Sequence, residues 1–117
     1  MARNLCRFVY RIISKGEFTK DFTLKNQIRN SSGSSMDNIA EGFGRAGKKE
    51  FIHFLSISNA STDEVKSQLY RAFDQNYINN EEFREEYELA DKLYKKNGSF
   101  INYLNSSDYR GKKFKQS

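Results

Sequence analysis

A chain of 117 residues suits one domain with a single modest core, and its 37% hydrophobic and 15% aromatic content, with ten Phe and seven Tyr, excludes a disordered polymer. The absence of proline predicts long uninterrupted helices, and the single cysteine, Cys6, excludes an intramolecular disulfide or a cysteine zinc site and reads as a lone buried thiol. The net charge of +5 is uneven: residues 1–50 carry ten basic and five acidic groups, residues 51–104 six and nine, and residues 105–117 four and one, which favours anionic partners, nucleic acid first.

Residues 2–15 read as a helix, because Leu5, Phe8, Val9, Ile12 and Ile13 recur with helical spacing. Arg3, Arg7, Arg11 and Lys15 fall between them as a solvent-facing basic ridge, and Gly16 stops the helix. After the short connection "GEFTKDF", a second helix is expected from about Asp21 to Phe43, with Leu24, Ile28, Met36, Ile39, Ala40 and Phe43 inward. Its centre, "SSGSS", has the composition of a linker, but a linker there would leave two pieces too short to be stable. One continuous helix is the better reading. Its small residues would admit a close neighbour, and the mid-helix Gly33 would cost roughly 1 kcal/mol.

A third helix is expected from about Lys48 to Gln75, with Phe51, Leu55, Ser58, Thr62, Val65, Leu69 and Ala72 as a heptad seam and Ile52, Phe54, Ile57, Tyr70 and Phe73 outside it. A fourth follows, capped by Asn79 or Asn80, with glutamates in its first turns and lysines further on. Its expected seam is Phe83, Tyr87, Ala90, Tyr94, Asn97, Ile101 and Leu104, and Gly98 marks a potential kink. These elements predict an all-α, antiparallel up-down-up-down four-helix bundle over residues 1–105, followed by a basic flexible tail over 106–117. No apolar run approaches the about 18 residues of a membrane span, so a cytoplasmic location and no membrane partner are expected.

"NIAEGFGRAGKKEF", residues 38–51, raises the question of a phosphate loop, since Gly42, Gly44 and Gly47 spell G-x-G-x-x-G and Gly42 to Lys48 most of a Walker A motif. Either motif needs a preceding strand, whereas a helix precedes this one, and Lys49 stands where Walker A requires Ser or Thr. The plainer reading is a tight interhelical turn. In it Gly42 or Gly44 takes the left-handed position that ends helix two, and Gly47 sits beside the start of helix three. A third option keeps a phosphate of a nucleic-acid backbone at that helix start, held by free N–H groups with Arg45, Lys48 and Lys49. Glu50 and His53 form one E-x-x-H pair, but the chain has one histidine and cannot build a di-iron bundle site. No nucleophile elbow or triad is recognisable. No catalytic residue, metal or cofactor is expected. The basic residues expected to touch nucleic acid are Arg29, Arg45, Lys48 and Lys49, with Arg110, Lys112 and Lys113 of the tail, where Tyr109 and Phe114 could stack on bases. Ordinary solvated faces and a solubilising tail are the alternative.

"QIRNSS", "NIAEGFGRAGKKEFIHFL" and "DQNYI" together resemble the 23S rRNA intervening-sequence four-helix bundle family, often labelled ribosomal-protein-like and related to accessory proteins of diversity-generating retroelements. The likeness runs from about residue 5 to 104, and its motif is carried by Asn38, Glu41, Gly42, Gly44 and Phe51. The sequence departs from the family's pattern at "SSGSSMDN", where Met36 takes the place of a proline. The resemblance implies a four-helix bundle, a ring of five subunits and no known catalysis. For the retroelement relatives it implies binding of nucleic acid and of a reverse transcriptase through a basic surface. The expected function is therefore a non-enzymatic, homo-oligomeric bundle that binds nucleic acid, RNA first, through a basic surface. A protein-binding scaffold without nucleic-acid contact is the rival.

Overall fold

A computed structural model describes residues 1–45 and 47–107, so the expected tail lies outside the described residues except for its first two positions. The described chain forms α1 (Ala2–Ile13), a 3-10 helix (Gly16–Lys20), α2 (Phe22–Gly44), α3 (Lys48–Asp74) and α4 (Asn80–Asn105). No strand occurs among the described residues. Each long helix packs against its chain neighbours, and α4 closes back on α1, which is the up-down-up-down arrangement.

Local chemistry sets the boundaries. Asp21 caps α2 by accepting from the Leu24 N–H at 3.0 Å, and Tyr77 donates its hydroxyl to the same carboxylate at 2.9 Å, tying the start of α2 to the α3–α4 turn. The ring of Tyr77 stacks on buried Phe18 at 5.1 Å, so the 3-10 segment is pinned as well. Of the two asparagines that could open α4, Asn79 does so. Its side chain accepts from Glu82 N–H and the Glu82 carboxylate accepts from the Asn79 N–H, a complete capping box. α4 runs unbroken through Gly98.

The seam expected on α3 is buried at every position, from Phe51 to Ala72. α2 and α4 bury part of the expected set, Leu24 and Ile28 on the one and Ala90, Asn97 and Leu104 on the other, and differ elsewhere. On α2 the inward residues are Leu24, Ile28, Ser31, Ser32, Ser35 and Gly42, whereas Met36, Ala40 and Phe43 are exposed and Ile39 is half-buried. On α4 the buried line is Glu86, Ala90, Leu93, Asn97 and Leu104, while Phe83, Tyr87 and Ile101 are half-buried and Tyr94 is exposed. The interior follows whichever stripe meets the neighbouring helices, and on α4 that stripe lies one residue from the most aromatic one.

The serines explain the α2 result. Ser35 Oγ lies 2.8 Å from Thr62 Oγ1 and 3.3 Å from Ser58 Oγ, and Ser58 donates to the Ser35 carbonyl at 2.8 Å. Ser61 donates to Ser34 Oγ at 2.9 Å, Gln68 Nε2 to Ser31 Oγ at 3.1 Å, and Asn97 Nδ2 to Ser58 Oγ at 3.1 Å. A side-chain bond to a neighbouring backbone carbonyl requires the helices to lie close, and the hydroxyls satisfy one another there, while buried Gln68 keeps its Oε1 without a partner among the described residues. This polar waist separates two apolar clusters. One joins α1 to the adjoining halves of the other helices around Leu5, Ile12, Leu69 and Ile78; the other surrounds Phe51, Leu55 and Leu104. Gly33 takes no part in the close approach, because a Cβ built on it meets nothing within 4 Å. The Gly33→Ala variant is therefore expected to stabilise the bundle by about 1 kcal/mol, read as a higher midpoint in urea with an unchanged slope. A lower midpoint would contradict the open surroundings of that position.

Candidate nucleic-acid interface

The cations expected at the start of α3 are largely engaged within the chain. Arg45 follows the last turn of α2. Its guanidinium is 2.6 Å from the Glu41 carboxylate and 4.0 Å from that of Glu50, and it lies 5.2 Å over the Phe54 ring. Lys48 opens α3 and donates from Nζ to the Ser107 carbonyl at 3.0 Å, closing the end of α4. Lys49 is exposed. Arg29 is exposed on α2, sixteen residues before Arg45 and so about 24 Å away along the helix, and it borders a shallow groove with Tyr10 and Asp37. These residues do not converge on one site. Arg110, Lys112 and Lys113 lie outside the described residues.

The glycines resolve differently from the expected turn. Neither Gly42 nor Gly44 is left-handed; both belong to α2. Gly47 carries the positive φ, +92°, as the residue that precedes the first turn of α3. Gly42 serves close packing instead: a Cβ there would lie 3.0 Å from Phe51 Cδ1 and 3.2 Å from Phe54 Cβ. Gly44 is exposed with open space around it, and buried Phe51 meets the rings of Phe43 at 4.8 Å and Phe100 at 5.3 Å. Asn38 donates to the Ser34 carbonyl at 2.8 Å, one turn back. The family-motif residues thus build the α2–α3 corner.

His53 is exposed, edge-on to Phe54. Cys6 is half-buried rather than fully buried, its Sγ 3.2 Å from the Ser32 carbonyl, and desolvation holds its thiol above the usual pKa. Among the described residues no group of three or more His, Cys, Asp or Glu is placed to hold a metal ion.

A different set of cations does come together. α1 and α4 run antiparallel, and just past the end of α1 Lys15 pairs with Glu82 of α4 at 3.2 Å. Arg7, Arg11 and Lys92 line one groove of 480 Å³ between the two helices, shared with Glu85 and Glu88, and Arg3 and Lys96 line the next. No ion pair within 4.0 Å engages Arg3, Arg7, Arg11, Lys92 or Lys96 among the described residues. One half of the α1–α4 seam is complementary in charge, and the other presents cation against cation. The ridge on α1 is legible in the sequence, whereas its pairing with Lys92 and Lys96 depends on a register between elements about 80 residues apart.

These features define a small all-α bundle with a basic seam. The chain belongs to the 23S rRNA-intervening sequence protein family, which it matches over residues 1–99. The fold is similar to that of a crystallised protein of unknown function from the S23 ribosomal protein family of Bacteroides thetaiotaomicron. The two share 22% identity, with a TM-score of 0.74 over 86% of this chain and 98% of that one. No curated protein matches the chain. No helix among the described residues is long and apolar enough to cross a membrane.

Proposed function

We propose that this protein is a non-enzymatic bundle that binds RNA through the α1–α4 seam. The observation that carries this reading is the juxtaposition of Arg3 and Arg7 with Lys96 and Lys92, like charges that a bound phosphate backbone would relieve. Their positions on two rigid helices suit tracking a backbone rather than reading bases, which fits sequence-tolerant recognition of a structured RNA.

Fluorescence anisotropy with a labelled RNA stem-loop, titrated across salt, tests the proposal. Affinity is expected to fall linearly with salt on a logarithmic plot. Neutralising Arg7 and Lys92 together is expected to weaken binding on the order of tenfold or more and to flatten the slope by about 1.5. Substituting Arg45 or Lys48 is expected to act through folding instead, since both already bond within the chain. No salt-sensitive affinity at low ionic strength, or an unaltered slope in the double variant, would defeat the reading.

The second reading, self-association or docking of a protein such as a reverse transcriptase, is favoured by the outer face of α3 and α4. There Tyr70 and Phe73 remain exposed beside Phe83 and Tyr87, with ring centroids 5.0–5.7 Å apart. A ring of about five copies, as the resemblance implies, would cover such faces, and light scattering on the same samples reads the mass directly.

A further inference from the structure

α2 and α3 are laced together by a run of side-chain hydrogen bonds. Ser61 donates to Ser34 Oγ at 2.9 Å, Gln68 Nε2 to Ser31 Oγ at 3.1 Å, and Arg71 Nη1 to Gln27 Oε1 at 2.9 Å. Beside the last two bonds lies a groove of 420 Å³, and every side chain on its lining is polar. Ser31 and Gln68 form its buried floor, each 8% exposed. The Gln68 amide is only half used. Its Nε2 is bonded, while its Oε1 is buried and has no partner among the described residues. Turning the amide over does not help, because Ser31 then donates to Oε1 and Nε2 is left over instead. An amide atom in this state carries a desolvation cost that no bond offsets.

The groove is also charged at both ends of its α3 wall. Glu64 and Arg71 stand seven residues apart on α3, about 10 Å along the helix. No ion pair within 4.0 Å engages either of them among the described residues. We propose that this groove binds a short peptide-like zwitterion, its ammonium on Glu64, its carboxylate on Arg71 and an N–H between them on Gln68 Oε1. A dipeptide has that form: two residues span about 7 Å, and the side chains of Glu64 and Arg71 reach inward over the remainder. The Gln68 amide turns toward the groove to accept the N–H, which relieves its unpartnered oxygen. A nucleobase fits less well, since no aromatic ring lines the groove to stack on it, and a phosphate would meet the Glu64 carboxylate as well as Arg71. The proposal goes beyond RNA binding and does not rest on it, because none of Arg3, Arg7, Lys92 and Lys96 lines this groove.

The test titrates glycylglycine into the isotopically labelled full chain and follows the side-chain amide resonances of Asn30 and Gln68, both on the lining. Saturable shifts are expected, with a Kd on the order of 1–10 mM. Glycylsarcosine, which is methylated at the one peptide N–H, is expected to bind at least roughly fivefold more weakly, and so is glycylglycinamide, which lacks the carboxylate. Gln68→Met keeps the length of the side chain and removes the amide. It is expected to bind glycylglycine and glycylsarcosine equally, with the melting temperature and RNA affinity of the parent retained. Arg71→Gln is expected to abolish the preference for glycylglycine over glycylglycinamide. Absence of saturable shifts below about 100 mM, equal affinity of the parent for glycylglycine and glycylsarcosine, or an unaltered preference between them in Gln68→Met overturns the proposal.

Discussion

Glu86→Gln is expected to remove a fall in stability that the parent protein shows between about pH 5 and pH 9. Glu86 is fully buried on α4, and neither carboxylate oxygen has a hydrogen-bond partner among the described residues. Burial pushes its pKa up to about 9, opposed in part by the charge of Arg11. The folded protein therefore keeps a proton that the unfolded chain, with an ordinary value of 4.5, releases. Its stability is fully present below the unfolded pKa and declines as pH rises through the window to the folded one, by about 1.4 kcal/mol per unit. At pH 7 the loss is on the order of 3 kcal/mol. Glutamine keeps the shape and removes the titration, so urea unfolding at pH 5 and pH 8.5 should give nearly equal free energies in the variant and clearly unequal ones in the parent. Glu86→Met, which also removes the unpartnered oxygens, is expected to be the more stable of the two at pH 8.5. A pH slope identical in parent and Glu86→Gln would show that another group governs the dependence.

The second large effect is expected at the α2–α3 corner. Gly42→Leu should destabilise the bundle by about 3 kcal/mol, because its Cβ already falls 3.0 Å from the Phe51 ring and the rest of the side chain has no room. Phe51→Ala alone should cost about 3–5 kcal/mol, since it empties the centre of the Phe43–Phe51–Phe100 ring cluster. In the double variant the leucine can occupy part of the space left by the ring. The combined cost should then be smaller than the sum by 1 kcal/mol or more, measured as a double-mutant cycle in urea. Strict additivity would mean that Gly42 is not held small by Phe51. The phosphate-loop appearance of "GFGRAG" thus has a packing cause at Gly42 and a conformational one at Gly47, where φ is +92°.

How much was legible differs from helix to helix, for physical reasons. The α3 seam was readable because a 27-residue helix with neighbours along its whole length must bury a heptad stripe, and periodicity reports that stripe directly. On α4 two adjacent stripes compete. Aromatic periodicity favours Phe83, Tyr87 and Tyr94, but the packed line passes through Glu86 and Leu93, and a carboxylate without a partner is the residue a transfer scale places inside last of all. On α2 the serines stand where large apolar residues would be expected, and they admit the close neighbour that their size predicts. They are the core there, since only small side chains let the two helices come close enough for the short Ser58 hydroxyl of α3 to reach the Ser35 carbonyl.

The sequence by itself determined the helical class, the number of long helices, the α3 seam, the basic character of α1 and the family, all of which rest on periodicity and short motifs within one segment. Tertiary structure alone decided that Arg45 and Lys48 bond inside the chain and that Arg3 and Arg7 share groove linings with Lys96 and Lys92. Those facts depend on the relative register and length of helices distant in the chain. A local pattern carries neither, because the registers are set by the combined packing of all four helices.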